Sequence, residues 1–348
     1  MLGIKKSVAQ FVFSLPENWI STLTRKNNTN ETNVLDPRCA LACNIAKYLP
    51  KMEQMSPEKA RKHYRDQMKL FEEAEFPIAH IEDKLIPTPS ASFIPIRVYN
   101  ANPQKRNLPT VLFFHGGGLT IGNLETHDSF CRKLSHYTKS IVIAVDYRLA
   151  PEHPYPAAHE DAWLAYQYVR NSAYIFGGSP KAIAVCGDSA GALLATTLCL
   201  RAKKNNVQAP IYQALLYPML DTSKESDTYE LFGENYVLTR SLMRWFIQNY
   251  LPQTKDRLLV QNSPVLAETK ELKGLPPTYI GIAGFDPLRE EAETYAKHLQ
   301  TAGVKVEERH FPSLVHGYIQ LSGLIPKAKE AEDDLFQALL RFFSQIKI

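Results

Sequence analysis

The chain contains the stretch Ala182-Ile183-Ala184-Val185-Cys186-Gly187-Asp188-Ser189-Ala190-Gly191-Ala192-Leu193-Leu194. Its first five residues form a short apolar run, as in a buried strand, and the residues after Gly191 have the composition of a buried helix. Glycines on both sides of Ser189 permit a tight turn, because side chains there would collide with the neighbouring strand and helix. A Gly-x-Ser-x-Gly turn between a strand and a helix lifts the serine hydroxyl clear of a sheet. The stretch therefore predicts an α/β fold with a nucleophilic serine, Ser189.

A glycine-rich motif lies upstream of this serine, directly after the apolar run 109–114. It reads His115-Gly116-Gly117-Gly118. A carbonyl that turns tetrahedral develops a negative oxygen, which closely approaching backbone N–H groups stabilise. We expect the N–H groups of Gly117, Gly118 and Ala190 to form this oxyanion hole, with Gly116 as an alternative to one of the first two. We expect His115 to shape the loop through hydrogen bonds. The two motifs together resemble the halves of an α/β-hydrolase active site.

A serine hydroxyl needs a base to take its proton, and in α/β-hydrolases the order along the chain is serine, acid, histidine. The histidines after Ser189 are His298, His310 and His316. His298 falls within a helical pattern and His310 ends an alternating strand pattern. His316 follows Pro312, where a loop that leaves a strand would place it over the site. We therefore predict His316 as the base.

The predicted acid is Asp286. It ends the apolar run 277–285 and precedes Pro287, a pattern of a strand end followed by a helix start. An aspartate before a proline is also typical of a helix N-cap, and both roles can be filled by different carboxylate oxygens. Asp221, after the run 215–220, is the alternative acid.

These motifs, with two further ones, resemble the hormone-sensitive-lipase-like branch of the α/β-hydrolases. The additional matches are Asp146-Tyr147-Arg148-Leu149-Ala150-Pro151-Glu152-His153-Pro154-Tyr155-Pro156-Ala157-Ala158 and Asp286-Pro287-Leu288-Arg289. The resemblance implies an eight-stranded, mostly parallel sheet flanked by helices, a helical cap over the carboxyl ends of the strands, and carboxylesterase activity without a cofactor. We expect Arg148 and Glu152 to tie their loop to the core.

Hydrophobic periodicity predicts the domain organisation. Residues 1–75 are expected to form an N-terminal helical cap segment, and residues 76–348 the catalytic domain. Strand patterns near 91–99, 110–115, 141–147, 182–187, 211–217, 278–284 and 303–311 alternate with helical patterns, which indicates a parallel sheet. Sixty residues separate two of these strands, so we expect a cap insertion at about 220–252. Its candidates for the substrate-binding wall are Phe232, Tyr236 and Trp245.

Composition is that of a globular protein, with 45% hydrophobic and 22% charged residues. The net charge is +4, and the positive excess lies in residues 1–70, which hold 12 Lys and Arg against 6 Asp and Glu, whereas the rest of the chain holds 28 against 30. The sequence shows no nucleic-acid-binding pattern and no apolar stretch long enough for stable membrane insertion. Five cysteines cannot all pair; buried thiols are expected, although Cys39 and Cys43 have the spacing of a weak metal or redox pair. We expect a cytoplasmic protein, and a homodimer stays open.

The motifs and the resemblance together predict a serine carboxylesterase that hydrolyses short- to medium-chain acyl esters of small molecules through an acyl-enzyme. It is expected to need no metal and no cofactor. A lipase, lactonase or amidase that uses the same site stays open, because pocket shape sets the substrate range. A non-catalytic small-molecule receptor on the hydrolase scaffold also stays open, although His316 argues against it.

Overall fold

The fold is built on one eight-stranded sheet, seen in a computed structural model that describes residues 7, 10–24, 29–30, 33–71, 76–89 and 91–346. Its strands are β1 (His80–Pro87), β2 (Phe93–Asn100), β3 (Leu108–Phe114), β4 (Ile141–Val145), β5 (Gly178–Asp188), β6 (Gln213–Leu216), β7 (Thr278–Phe285) and β8 (Val306–Val315). Their order across the sheet is β8-β7-β6-β5-β3-β4-β2-β1. β2 pairs antiparallel with both β1 and β4, and the other pairs are parallel. The mostly parallel sheet is thus confirmed.

Helices precede the sheet and connect its strands. They are α1 (Glu17–Thr24), α2 (Pro37–Ala46), α3 (Pro57–Phe71), α4 (Asp128–Thr138), α5 (Ala157–Ser172), α6 (Ala190–Lys204), α7 (Asp227–Phe232), α8 (Arg240–Tyr250), α9 (Thr269–Leu272), α10 (Arg289–Thr301) and α11 (Pro326–Gln345). A two-stranded hairpin of Thr29–Asn30 and Asn33–Val34 lies between α1 and α2. Among the described residues, no helix is long and apolar enough to cross a membrane.

The central strands are buried on both faces, and successive side chains alternate between two hydrophobic cores. In β3, Leu112 and Phe114 pack in one core with residues of α5, α6 and α10, whereas Val111 and Phe113 pack in the other with α4 and α11. All seven residues of β3 are buried. This explains why the central strands have continuous apolar sequences, as parallel strands covered on both faces do.

Seven of the eight strands coincide with predicted strand patterns, and β1 does not. β1 is an edge strand whose side chains are mostly exposed or half-buried, so it mixes polar and apolar residues without the continuous apolar run of a central strand. β8 also differs from its prediction. It continues past Pro312 to Val315 with an irregularity between Phe311 and Val315, which an edge strand tolerates. His316 therefore follows the strand directly.

The N-terminal helices and the β6–β7 connection together form a wall above Ser189. α3, residues 47–53 and α8 line one cavity with Ser189. Ser241 Oγ donates a hydrogen bond of 2.7 Å to Glu53 Oε1, which joins the two parts of this wall. The remainder of the connection, through α9, packs against α6 and α10 on the way to β7. Part of the predicted cap segment, residues 1–6, 8–9, 25–28, 31–32 and 72–75, lies outside the described residues.

Candidate active site

Ser189 occupies a strained turn at the carboxyl end of β5. Its backbone angles are φ 52° and ψ −119°, a left-handed conformation that costs energy for a residue with a side chain. Its N–H donates to the carbonyl of Leu216 on β6 at 2.8 Å, which anchors the turn to the sheet. A Cβ atom at Gly191 would overlap the carbonyl oxygen of Phe114 on β3. The glycine is therefore required by the close approach of the helix to the strand.

Ser189, His316 and Asp286 form one hydrogen-bonded line. His316 Nδ1 lies 2.8 Å from Asp286 Oδ2, and His316 Nε2 lies 3.0 Å from Ser189 Oγ. A carboxylate only accepts hydrogen bonds, so Nδ1–H donates to Asp286 and Nε2 is left to accept the serine proton. The three side chains come from the ends of β5, β7 and β8 and are all buried. The structure therefore brings together the three residues predicted from the sequence.

The second oxygen of Asp286 also has a partner. Oδ1 accepts a hydrogen bond of 2.8 Å from the N–H of Leu288, at the start of the helix that follows. The carboxylate thus serves both the imidazole and the helix start. The alternative acid, Asp221, instead accepts from the N–H and the hydroxyl of Ser223 at 2.8 and 2.5 Å, and within the described chain it has no contact with His316.

The N–H groups of Gly117, Gly118 and Ala190 have no hydrogen-bond acceptor among the described residues. Gly118 has a φ of 58°, and a Cβ atom there would overlap the ring of Phe246. Gly116 does not serve as the alternative donor, because its N–H donates to Asp188 Oδ1 at 2.7 Å. This part of the prediction is corrected: a neighbouring carboxylate already uses that N–H.

Asp188, beside Ser189, is held ionised by His127. Burial alone would raise the pKa of Asp188, but the charge and hydrogen bond of His127, with the Gly116 amide, hold this pKa below its ordinary value. His127 Nε2 lies 3.2 Å from Asp188 Oδ1. Sequence analysis did not identify His127. The sequence feature that could have pointed to His127 is its position in the segment 123–128, shortly after the glycine-rich motif.

His115 is buried behind the glycine loop, away from the reacting groups. Burial lowers its pKa to about 3, so the ring stays neutral. Its Nδ1 lies 2.8 Å from the Gly116 carbonyl oxygen, and the Tyr147 hydroxyl donates to the His115 carbonyl oxygen at 2.5 Å. These contacts agree with the expected role of His115 in shaping the loop.

The loop that contains Arg148 and Glu152 is fixed at both ends, though differently from the prediction. Arg148 binds the buried Asp161 of α5 with Nη2–Oδ1 at 2.7 Å, as expected for a tie to the core. Glu152 instead binds Arg61 of α3. The second tie therefore reaches the cap segment, which the sequence could not show because the two residues are 91 positions apart.

A cavity of about 370 Å³ opens above Ser189. Tyr236 lines it, as predicted, but Phe232 and Trp245 do not. The Phe232 ring packs against Phe285 and Tyr236 and is not part of the cavity lining. Trp245 lies on another face of α8, and its neighbour Phe246 lines the cavity instead. Lining residues that were not among the candidates include Tyr64, Gln67, Met68 and Phe71 of α3, and Leu242 and Phe246 of α8.

The spacing of the α3 residues offered a signal for this wall. Tyr64, Gln67, Met68 and Phe71 follow the i, i+3, i+4, i+7 pattern of one helix face. Such a pattern predicts a contact face but not what it faces. Only the tertiary structure shows that part of this face meets a cavity.

Cys39 and Cys43 are free thiols in the core, which confirms the expectation of buried thiols. Both thiols are buried, and burial raises the pKa of Cys43 to about 12, which disfavours the thiolate that metals bind. In the described part of the chain, no group of three or more His, Cys, Asp or Glu side chains is placed to hold a metal ion. All five cysteines are free and buried.

Comparison with known proteins places the chain in a family. Residues 111–320 match a family model described as alpha/beta hydrolase fold. The chain is 39% identical over 278 residues to the carboxylic ester hydrolase LipN of Mycobacterium tuberculosis, covering 78% of this chain and 73% of LipN. It is 32% identical over 297 residues to ethyl acetate hydrolase of Pseudomonas putida, covering 84% and 92%.

A solved structure agrees with these sequence matches. The ester-hydrolase EH1AB1 from the metagenome of Lake Arreo, complexed with a derivative of bipyridine phosphonate, superposes with a TM-score of 0.86. It is 33% identical, and the match covers 90% of this chain and 100% of that one. The fold is thus shared over most of the molecule. The chain belongs to the α/β-hydrolase family.

Proposed function

We propose that the protein is a serine carboxylesterase, which hydrolyses short- to medium-chain acyl esters of small molecules through an acyl-enzyme. The observation that carries this proposal is the continuous line Asp286–His316–Ser189, with contacts of 2.8 and 3.0 Å, beside three backbone N–H groups without an acceptor in the described chain. Relatives named as carboxylic ester hydrolase and ethyl acetate hydrolase support the same chemistry.

The first half of the reaction forms the acyl-enzyme. Ser189 Oγ attacks the ester carbonyl carbon while its proton passes to His316 Nε2. The carbonyl oxygen becomes negative, and the N–H groups of Gly117, Gly118 and Ala190 are the donors that would hold it. Asp286 keeps Nδ1 protonated and stabilises the imidazolium. When the tetrahedral centre collapses, the bond to the alcohol oxygen breaks and His316 gives its proton to that oxygen.

The second half of the reaction releases the acid. Water enters where the alcohol left and gives a proton to His316 Nε2 as its oxygen attacks the acyl carbon. The bond to Ser189 Oγ then breaks, and His316 returns the proton to the serine. The apolar side chains of Met68, Leu242 and Phe246 would contact the acyl chain or the alcohol. A cavity of about 370 Å³ favours small and medium-sized esters over long lipid chains.

The direct test is Ser189→Ala, assayed with p-nitrophenyl butyrate. Turnover should fall at least about 10³-fold, because the nucleophile is lost while the fold is kept. Ser344→Ala, on the exposed end of α11, is the matched control and should keep the wild-type rate. Covalent labelling by an organophosphonate should likewise depend on Ser189.

Retained turnover in Ser189→Ala would refute the assignment. Absence of both turnover and labelling in the wild-type protein would favour the receptor alternative. A panel of p-nitrophenyl esters from two to sixteen carbons, with lactones and amides, separates the carboxylesterase from the lipase, lactonase and amidase alternatives. We expect the highest kcat/KM at short to medium chains.

The cytoplasmic location is also part of the proposal. Five free and buried cysteines support a reducing compartment, where disulfides rarely form. Cell fractionation with an antibody to the native protein tests this. Recovery in a secreted fraction would contradict it.

A further inference from the structure

Arg61 of α3 reaches from the N-terminal helices into the catalytic domain. Its Nε donates to the carbonyl oxygen of Thr120 at 2.8 Å, and its Nη2 donates to the carbonyl oxygen of Ala150 at 2.8 Å. The same guanidinium binds both oxygens of Glu152, at 3.0 and 2.5 Å. Its side chain is only 21% exposed.

The Thr120 carbonyl belongs to the loop that carries the proposed oxyanion donors. The Gly117 carbonyl accepts from the N–H of Thr120 at 3.0 Å and from the N–H of Ile121 at 2.9 Å, so residues 117–121 form one compact turn. The N–H of Ala150 donates to the carbonyl of Leu119 at 2.8 Å, which joins this turn to the loop that contains Glu152. Arg61 therefore binds both loops where they meet.

The carbonyl oxygens of Thr120 and Ala150 both rely on Arg61 for a hydrogen-bond donor. Thr120 and Ala150 are fully buried, and no other group in the described chain donates to either carbonyl. A buried carbonyl without a donor costs free energy, so removal of the guanidinium would favour rotation of these peptide groups toward other partners. A planar fork of N–H groups can serve both carbonyls and the carboxylate at once, which a lysine ammonium cannot do in this geometry.

We propose that Arg61 is a positioning residue of the reaction. It locks helix α3 to the oxyanion loop, so that the N–H groups of Gly117 and Gly118 stay aimed at the developing oxyanion. The inference rests on the proposed function. It adds that the cap segment contributes to the chemical step, through Arg61, as well as to the wall of the cavity.

The test compares kcat and KM of Arg61→Ala with those of Arg65→Ala. Arg65 lies one turn further along α3 and has no hydrogen bond or ion pair within the part of the chain described. For Arg61→Ala, kcat with p-nitrophenyl butyrate should fall about 10- to 100-fold, because a displacement of about 1 Å at the reacting centre has an effect of this size. KM should change less than about threefold, since the cavity wall is retained. Arg65→Ala should match the wild type.

Two further variants separate positioning from simple stability. Glu152→Gln weakens the ion pair but leaves both carbonyl contacts, so it should keep most of kcat. Arg61→Lys keeps the charge but loses the planar fork that reaches both carbonyls, so it should show a partial loss of kcat with KM unchanged, even where Arg61→Ala does not fold. Millimolar guanidinium chloride should restore part of kcat in Arg61→Ala and not in Arg65→Ala.

Wild-type kcat in Arg61→Lys, or a change confined to KM, would overturn the inference. An equal loss in Glu152→Gln would also overturn it, because the ion pair would then be the cause. Labelling of the wild-type protein by an organophosphonate distinguishes failure of this inference from failure of the proposed function. If the wild type is labelled and all Arg61 variants turn over normally, only this inference fails; if the wild type is neither labelled nor active, the proposed function fails.

Discussion

Asp286 uses its two carboxylate oxygens for different purposes. Oδ2 accepts from His316, while Oδ1 accepts from the N–H of Leu288. The second bond fixes the carboxylate plane, so that the first can fix the orientation of the imidazole. A helix N-cap and an orienting acid are therefore compatible at one residue, and the two interpretations of Asp286 from the sequence do not compete.

This arrangement predicts the effect of Asp286→Asn. An amide can place either its oxygen or its NH₂ toward His316, and the NH₂ favours the tautomer in which Nε2 carries the proton and cannot accept one from Ser189. We expect kcat to fall about 10⁴-fold, as expected when an amide replaces the acid of such a triad, with an unchanged fold. Steady-state kinetics with p-nitrophenyl butyrate measure this.

Asp221→Asn is the matched control for that variant. Asp221 is buried as well, but its partner is Ser223, so its amide form should lower kcat less than about threefold. A larger loss for Asp221→Asn than for Asp286→Asn would reverse the choice of acid.

Single residues were predictable where backbone geometry or chain order restricts them. Ser189 and the glycines lie in motifs, and His316 was identified by its position after a strand. Phe232 and Trp245 were chosen for their size alone. Large aromatic side chains pack equally well into a core, and only the rotation of α8 determines that Phe246, and not Trp245, faces the cavity.

At the scale of elements, the burial of a strand or helix determines whether its hydrophobic pattern can be recognised in the sequence. Strands covered on both faces, such as β3 and β7, are continuous apolar runs and were recognised. β1 lies at the sheet edge and was not recognised, since polar residues interrupt its apolar ones. α3 carries both Arg61 and the cavity residue Tyr64, but a helix pattern does not show which of its partners lie 59 or 91 residues away.

α8 is the element whose face should determine chain-length preference. Phe246 packs its ring against Gly118 and lines the cavity, whereas the adjacent Trp245 does not line it. Phe246→Ala should enlarge the cavity and raise the ratio of kcat/KM for the octanoate ester to that for the butyrate ester at least about threefold, since each buried CH₂ contributes about 0.8 kcal/mol.

Trp245→Ala provides the control, because it removes a ring from the next residue of the same helix. Its octanoate-to-butyrate ratio should equal that of the wild type. Phe246→Ala is expected to lose about 3 kcal/mol of stability, so both variants are assayed well below their unfolding temperatures. Equal octanoate-to-butyrate ratios in Phe246→Ala and Trp245→Ala would show that α8 does not limit the space for the acyl chain.

At the scale of the whole molecule, the sheet brings residues that are distant in sequence together at one edge. Ser189, Asp286 and His316 lie far apart in sequence, yet each follows a strand of the parallel part of the sheet at its carboxyl end. Ligands bind at this edge in open α/β sheets. The fold and the hydrogen-bonded line of Ser189, His316 and Asp286 therefore followed from motifs and strand order. The cavity did not, because it depends on how separate helices pack above that edge.

Burial in this large core also makes stability depend on pH. Asp146, directly after β4, is the clearest case, because burial raises its pKa to about 6 while the charge of Arg97 opposes the rise only in part. The ordinary pKa of an aspartate is about 3.9. The folded protein thus binds this proton more tightly than the unfolded chain. The contribution to stability is fully present below about pH 4 and is lost as the pH rises through about 6.

Asp146→Asn removes this contribution, because an amide is neutral throughout. The free energy of unfolding of the variant, relative to the wild type, should increase between pH 4 and pH 7 by at most about 3 kcal/mol. Urea unfolding at several pH values measures the difference. Asp83→Asn is the control: a hydrogen bond from Arg97 lowers the pKa of this exposed carboxylate, so its difference from the wild type should not rise across the same range. A difference for Asp146→Asn that stays constant with pH would mean that its carboxylate is ionised at no cost in the folded protein.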